Sequence, residues 1–299
     1  MKTILIILSE QCNMNCSFCF IHPKRNIVLN IDGFLAWFEK YKTICNNEKI
    51  EISFFGGEPI LQALDVIKII ENTKYSNTSY SITTNLMYYL TPEIIGILDL
   101  CSVCTSWDPI QLRFKTQDNF ELWRHNCKQI KLTHVNITLT KELLSIKPNK
   151  LIKDCISWGF TGIFFTCLNP EGKALQLEYP NWEEVDDWLC KLYTVCPQEL
   201  KINLFENFKL TTCDTDWHKI GSFSDLTVHP DGSILMNSNV LSIYDPIDYI
   251  YNLYKKNIIK SNTNISCRVC EYYRYCNINV KWLGNICPFP KNLFRLVTS

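Results

Sequence analysis

SEQCNMNCSFCFIHP, residues 9–23, places three cysteines within eight positions, directly after the apolar, β-branched run TILIIL at residues 3–8. A short strand is therefore expected to end in a loop that carries Cys12, Cys16 and Cys19. Three readings compete for that loop: disulfide pairing, a zinc site, or three-quarters of a larger metal centre. Redox compartment separates the first from the others. Met1–Leu8 has one lysine and a short apolar stretch, which Ser9 and Glu10 end before a signal-peptide core forms. No other apolar run reaches membrane-spanning length. The expectation is a cytoplasmic protein, in which thiols stay reduced and closely spaced cysteines bind metal more often than they pair.

Working outward, β-branched runs alternate with helical patterns. KIEISFF (49–55), SYSITT (79–84), SVCTSW (102–107), VNITLT (135–140) and GIFFTCL (162–168) read as strands. Between them, Phe34, Phe38, Tyr41 and Cys45 recur at helical spacing, as do Ile60, Ala63, Val66, Ile67 and Ile70. Thr91-Pro92 and Thr140 read as helix starts, and residues 119–130 and 150–158 as further helices. Six strand–helix units in series predict an α/β fold with a parallel sheet and right-handed crossovers. The strands end in SEQCNMNC, GGEP, TTN, SWD and NPEG, and in a parallel barrel those ends share the face that houses chemistry.

After NWEEVDDWLCKLYTVC (181–196) the alternation stops, and a smaller second domain is expected from 197 to 299 behind a core of 1–196. DLTVHPDGSILMN (225–237) reads as two short strands around an Asp231-Gly232 turn. With 30 basic and 30 acidic residues the chain has no electrostatic footprint for sequence-independent binding to nucleic acid or an anionic membrane, and neither partner is expected.

Three thiolates are one short of a closed structural zinc site; His22 would have to complete it. A cubane iron-sulfur cluster on three thiolates instead keeps one iron open to a small ligand bearing an amine and a carboxylate. The C-x3-C-x2-C spacing, with Phe18 before the last cysteine, resembles the radical S-adenosylmethionine (SAM) superfamily, as does GGEP (Gly56, Gly57, Glu58, Pro59) after the second strand. The resemblance implies a partial (β/α)6 TIM-like barrel, with Cys12, Cys16 and Cys19 holding a 4Fe-4S cluster and SAM on its open iron. Glycines at 56 and 57 would let backbone approach the methionine end of that cofactor, and Glu58 would accept from its amino group. Thr84 and Asn85 stand where the superfamily has its Thr-Asn motif, and Ser106 and Asp108 resemble its Ser-x-Asp. Asp108 is also a catalytic candidate, and Arg113 is either a bidentate clamp for the cofactor carboxylate or a surface ion pair. By resemblance, one electron enters the sulfonium, and a 5'-deoxyadenosyl radical takes hydrogen from a substrate.

Cys267, Cys270, Cys276 and Cys287 form C-x2-C-x5-C-x10-C, a closed four-thiolate set. Zinc suits such pairs, but the run resembles the SPASM extension behind many radical SAM cores, which implies a second, auxiliary 4Fe-4S cluster. The pattern is truncated: Asn237 and Val280 stand where the full form has cysteines, so one auxiliary cluster is expected. Cys213, in the polar segment TTCDTDWH, is a candidate hydrogen donor to a substrate radical. Most remaining cysteines fall on apolar faces and read as small buried hydrophobes.

The SPASM-like tail implies modification of a ribosomal peptide by epimerisation, cross-linking or thioether formation. A small-molecule dehydrogenase or isomerase acting on a sugar, cyclitol or nucleoside, and a non-enzymatic zinc module, are the alternatives. A flavodoxin- or ferredoxin-type reductant is implied as partner. The triad begins at residue 12, so a leader peptide is expected to be held by a separate protein or by the barrel mouth.

Overall fold

The computed structural model describes residues 2–45, 48–75, 77–109, 112–168, 172–205, 225–236, 239–245 and 291–298. Those residues fall into two compact units. The first draws on the described residues within 1–13, 23–104 and 222–260, and the second on those within 14–22, 105–221 and 261–299.

In the first unit, β1 (Lys2–Ile7), β2 (Ile50–Phe55), β3 (Thr78–Thr84) and the start of β4 (Ser102–Ser106) follow one another in the sheet. β1 and β2 pair in parallel with Ile7 opposite Phe55, and β2 and β3 with Phe54 opposite Ile82. This register brings the loops that leave β1 and β2 out side by side. β8 (Asp225–Val228) pairs in parallel with the other edge of β1, followed by β9 (Ser233–Met236) and β10 (Asn239–Ser242), both antiparallel. The two strands around Asp231-Gly232 thus extend the same sheet.

Parallel strands need crossovers, and the helices that supply them start at side-chain caps. Asn30 caps α1 (Ile31–Ile44) by accepting from the Gly33 N–H, and Thr91 caps α3 (Pro92–Asp99) by accepting from the Ile94 N–H. Between them, a 3-10 turn at Pro59–Gln62 runs into α2 (Ala63–Thr73). Phe34, Phe38, Val66 and Ile69 from these helices are fully buried, as are Ile4, Ile6, Ile52 and Phe54 from the strands.

In the second unit β5 (Leu132–Leu139) pairs in parallel with β6 (Gly162–Cys167), and β6 with β7 (Lys201–Ile202). Thr116 caps α4 (Gln117–Cys127) and Thr140 caps α5 (Lys141–Leu144), while α6 (Pro148–Ser157) starts with proline. Trp123, wholly buried, stacks on Phe120, meets Trp158 edge-on and donates its indole N–H to Thr105 Oγ1 at 3.1 Å.

Elements absent from the sequence reading include β7, β10 and the helix α8 (Lys291–Thr298). Asp186, buried on α7 (Trp182–Val195), accepts from the Asn292 and Leu293 N–H groups at 2.8 and 2.9 Å. A carboxylate from one helix thereby caps the start of another 106 residues away. No helix among the described residues is long and apolar enough to cross a membrane.

Candidate active site

The loops leaving β1 and β2 are joined through backbone. Gly57 N–H donates to the Ser9 carbonyl at 3.0 Å, and Glu58 N–H to the Gln11 carbonyl at 2.8 Å. Gly56 sits at φ +123°, a region closed to L side chains, and a Cβ there would lie 2.7 Å from the Ser9 carbonyl oxygen. At Gly57 the demand is for proximity: a Cβ would lie 2.5 Å from the Gln11 carbonyl carbon and 2.7 Å from that of Glu10. Here the two glycines let the GGEP backbone lie directly on the chain that leads into Cys12.

Glu58 is buried, and its carboxylate is used inside the protein. Oε1 accepts from Ile60 N–H at 3.2 Å and from the Thr84 hydroxyl at 2.7 Å, and Oε2 accepts from Asn85 N–H at 2.7 Å. It caps the turn that begins at Pro59, itself buried, and ties that turn to the end of β3. Thr84 gives its one hydroxyl proton to Glu58, so the Tyr88 hydroxyl, 2.6 Å away, donates to Thr84. Burial and the Glu58 charge push the Tyr88 phenol far up, which keeps that proton in place. Asn85 reaches the cysteine loop, its Nδ2 donating to Asn13 Oδ1 at 2.8 Å and to Cys12 Sγ at 3.5 Å.

The base of the cysteine loop closes below these contacts. Leu29 N–H donates to the Leu8 carbonyl at 2.9 Å, Ser9 and Val28 form an antiparallel bridge, and the Gln11 and Asn26 side chains bond. Arg25 grips Glu10 through its backbone N–H (2.7 Å), Nε (2.8 Å) and Nη2, and reaches Asp231 in the β8–β9 turn with Nη1 (3.1 Å). Burial pushes the Glu10 carboxyl up, but the Arg25 hydrogen bonds and charge outweigh it and hold the group below the usual carboxylate range. Hydrogen bonds from Ser233, then from Arg25, hold Asp231 at about 2.

In the second unit, Cys16 and Phe18 are buried in a cluster with Leu112, Leu168 and Ala174, with Cys19 packed against its edge. Burial pushes the Cys16 thiol up. The Cys19 carbonyl accepts from Lys173 N–H at 3.0 Å. Arg113 lies with its guanidinium 5.1 Å from the Phe18 ring centre and donates through Nε to Asp108 Oδ2 at 2.7 Å. Asp108 is wholly buried, and its other oxygen accepts from Thr138 N–H at 2.9 Å. Burial pushes its carboxyl up, against the pull of Arg113. The pair is therefore interior, with the Arg113 side chain only 11% exposed, and differs in kind from a surface ion pair. Ser106 is buried at the end of β4.

Among the described residues, no three His, Cys, Asp or Glu side chains converge as a single-ion site requires. A zinc on Cys12, Cys16, Cys19 and His22 would need that convergence. A cubane also draws its three thiolates together, one per iron, and the soft sulfurs of Cys12, Cys16 and Cys19 are the donor type it takes. Cys213, Cys267, Cys270, Cys276 and Cys287 lie outside the described residues, as does Val280 and Asn237. Of the other cysteines, Cys45, Cys127 and Cys155 are buried, and burial pushes Cys101 up to about 12.

Comparison with known proteins places these features. Residues 3–130 match the family described as a 4Fe-4S single cluster domain. The chain is 27% identical over 161 residues to the radical SAM cyclopropyl synthase TigE of Paramaledivibacter caminithermalis, covering 47% of this chain and 33% of that one. It is also 27% identical over 209 residues to an uncharacterized protein of Methanocaldococcus jannaschii, 64% of this chain and 71% of that protein. Its fold matches Streptococcus suis SuiB bound to S-adenosylmethionine with a TM-score of 0.66 at 15% identity, over 92% of this chain and 71% of that one. It matches anSMEcpe, solved with AdoMet and the Cp18Cys peptide, with a TM-score of 0.67 at 16% identity, over 99% and 94%. In sequence and in fold the chain is similar to radical SAM proteins. The fold match is to the partial barrel expected from the alternating strands and helices, and the matched family over residues 3–130 is a 4Fe-4S cluster domain.

Sequence reasoning missed the groups that hold the cysteine loop in shape: Asn13, Arg25 with Glu10 and Asp231, Tyr88, and Lys173. No local signal marks them, since Arg25 and Asp231 are 206 residues apart and Lys173 is 158 from Asn15, with which its ammonium also bonds.

Proposed function

We propose that this radical SAM enzyme modifies a peptide, with Cys12, Cys16 and Cys19 as the ligands of its SAM-binding cluster. When bound, the cluster and SAM supply a one-electron reductive cleavage that yields the 5'-deoxyadenosyl radical. The chain's part is to hold and aim. The Gly56-Gly57 backbone forms the close wall beside the Cys12 loop, and Glu58 fixes the ends of β2 and β3 relative to one another. Glu58 does this with its side chain, so amino-group recognition at this loop falls to backbone carbonyls and to whatever acceptor capacity the carboxylate retains. Asp108 orients Arg113, whose outer nitrogens suit a carboxylate.

The observation that carries the peptide reading is the fold match to peptide-bound anSMEcpe across 99% of this chain. SuiB, matched at a TM-score of 0.64, is also solved with a precursor peptide, SuiA. The carboxyl-terminal region from 197 would carry one auxiliary cluster on Cys267, Cys270, Cys276 and Cys287, and a flavodoxin- or ferredoxin-type protein would supply electrons.

The test is anaerobic reconstitution, iron analysis, and incubation with SAM, dithionite and peptides encoded beside the gene. The proposal expects about eight iron atoms per chain, as two cubanes require, and 5'-deoxyadenosine formation that a peptide stimulates while its own mass or stereochemistry changes. Stimulation by a sugar or cyclitol but by no peptide would overturn the peptide reading. About four irons with zinc would overturn the auxiliary cluster.

A further inference from the structure

We infer that Asn85 is a redox-positioning residue: its side-chain amide donates to the Cys12 sulfur and raises the reduction potential of the cluster that Cys12 ligates. The inference rests on Cys12 being a cluster ligand.

The orientation of the amide follows from its neighbours. Asn85 Oδ1 accepts from Met87 N–H at 2.8 Å, and a backbone N–H is always a donor, so the oxygen is fixed on that side. Both protons of Nδ2 are then committed, one to Asn13 Oδ1 at 2.8 Å and the other toward Cys12 Sγ at 3.5 Å. Asn13 in turn gives its own amide proton to the Met87 carbonyl, so its Oδ1 is the acceptor that faces Asn85. Reversing either amide would set donor against donor. The backbone of Asn85 is pinned as well, through its N–H to buried Glu58.

The chain accepts strain to present this group. Leu86, between Asn85 and Met87, is wholly buried at φ +55°, a conformation costing an ordinary residue about 1 kcal/mol. The turn it makes carries the Met87 N–H back to Asn85 Oδ1.

The other two cysteines are placed differently. Cys16 is buried among apolar side chains, and the Cys19 thiol points at the Ile21 carbonyl oxygen at 3.4 Å. Among the described residues, a side-chain amide therefore polarises the Cys12 sulfur and neither of the other two. Ligation makes Cys12 a thiolate, which strengthens an N–H···S bond. Such a bond stabilises the more negative, reduced cluster, and hydrogen bonds to sulfur are among the levers that set cluster potentials.

Redox titration followed by electron paramagnetic resonance tests this, on the signal that SAM addition alters. Asn85→Leu, similar in size and without donors, should lower the midpoint potential, and Asn85→Asp, which adds a negative charge, should lower it further. Wild-type protein labelled with 15N in asparagine side chains should show a 15N hyperfine coupling to the reduced cluster, which both variants lose. A loaded Asn85→Leu cluster with the wild-type potential overturns the inference. If neither variant holds a cluster, wild-type protein lacking the 15N coupling overturns it, and wild-type protein showing it supports it. Cys12→Ala protein that takes up the wild-type iron content and keeps the SAM-sensitive signal refutes the ligand assignment instead, which iron analysis reads separately.

Discussion

Replacing Gly57 by alanine adds one methyl group at the tightest backbone contact beside the cysteine loop. Its Cβ would stand 2.5 Å from the Gln11 carbonyl carbon and 2.7 Å from the Glu10 carbonyl carbon. These neighbours are main chain, so no rotamer change relieves the overlap and one loop must move. Overpacking of this kind costs about 1–3 kcal/mol. The movement also breaks the Glu58 N–H bond to the Gln11 carbonyl, now 2.8 Å, for about another 1 kcal/mol. The sum is about 2–4 kcal/mol, and the displaced segment is the one leading into Cys12. The same substitution at Gly96, exposed within α3 with nothing near its Cβ position, should stabilise by about 0.5–1 kcal/mol, because alanine loses less backbone freedom in a helix. Urea unfolding of the two apo-proteins under anaerobic conditions, with iron content after reconstitution, reads both effects. Gly57→Ala protein with wild-type stability and wild-type iron would refute the argument that close backbone approach, and not turn geometry alone, demands glycine there.

Arg25→Gln should cost about 1–2 kcal/mol near neutral pH, a modest figure because the guanidinium is half exposed and screened. Glu10 and Asp231 are depressed carboxylates, so their contribution is present above the unfolded values and is lost as pH falls from about 4.5 toward 2; the gap between wild type and Arg25→Gln should close over that window in acid titrations of the apo-protein. A gap independent of pH would exclude the ion pairs as its source. Asp108→Asn should cost about 2–3 kcal/mol by weakening the buried bond to Arg113, and should raise the SAM concentration needed for half-saturation; an unchanged SAM affinity would show that Arg113 does not depend on Asp108 for its aim. Asp186→Ala should cost about 1–2 kcal/mol and increase amide exchange at Asn292 and Leu293, the two donors it caps, and unchanged exchange there would contradict the cap.

The order of elements could be read from sequence because strands and helices here obey local rules. The β-branched runs of β1 to β6 have the right length and lie between helices that start at Thr91, Thr116 and Thr140, whose hydroxyls cap nearby N–H groups. The cysteine spacing and the Gly-Gly-Glu-Pro turn were legible for the same reason: close contact with backbone constrains residue type locally. What Glu58, Asn85, Asp108 and Arg113 touch was not legible. Their partners, Thr84, Cys12, Thr138 and the Phe18 ring, come from other segments and meet only once the parallel register sets strand ends side by side. Tertiary structure alone decided that Arg113 is an interior partner of Asp108, that Arg25 bridges Glu10 and Asp231, and that β8 joins the edge of β1. The sequence by itself determined the fold class, since that rests on short-range pattern, and the cofactor reading rests on short-range pattern too, in the cysteine spacing and the Gly-Gly-Glu-Pro turn. Which amide faces which sulfur was settled by long-range packing, because a hydrogen bond depends on where two chain segments are brought together and leaves no periodicity behind.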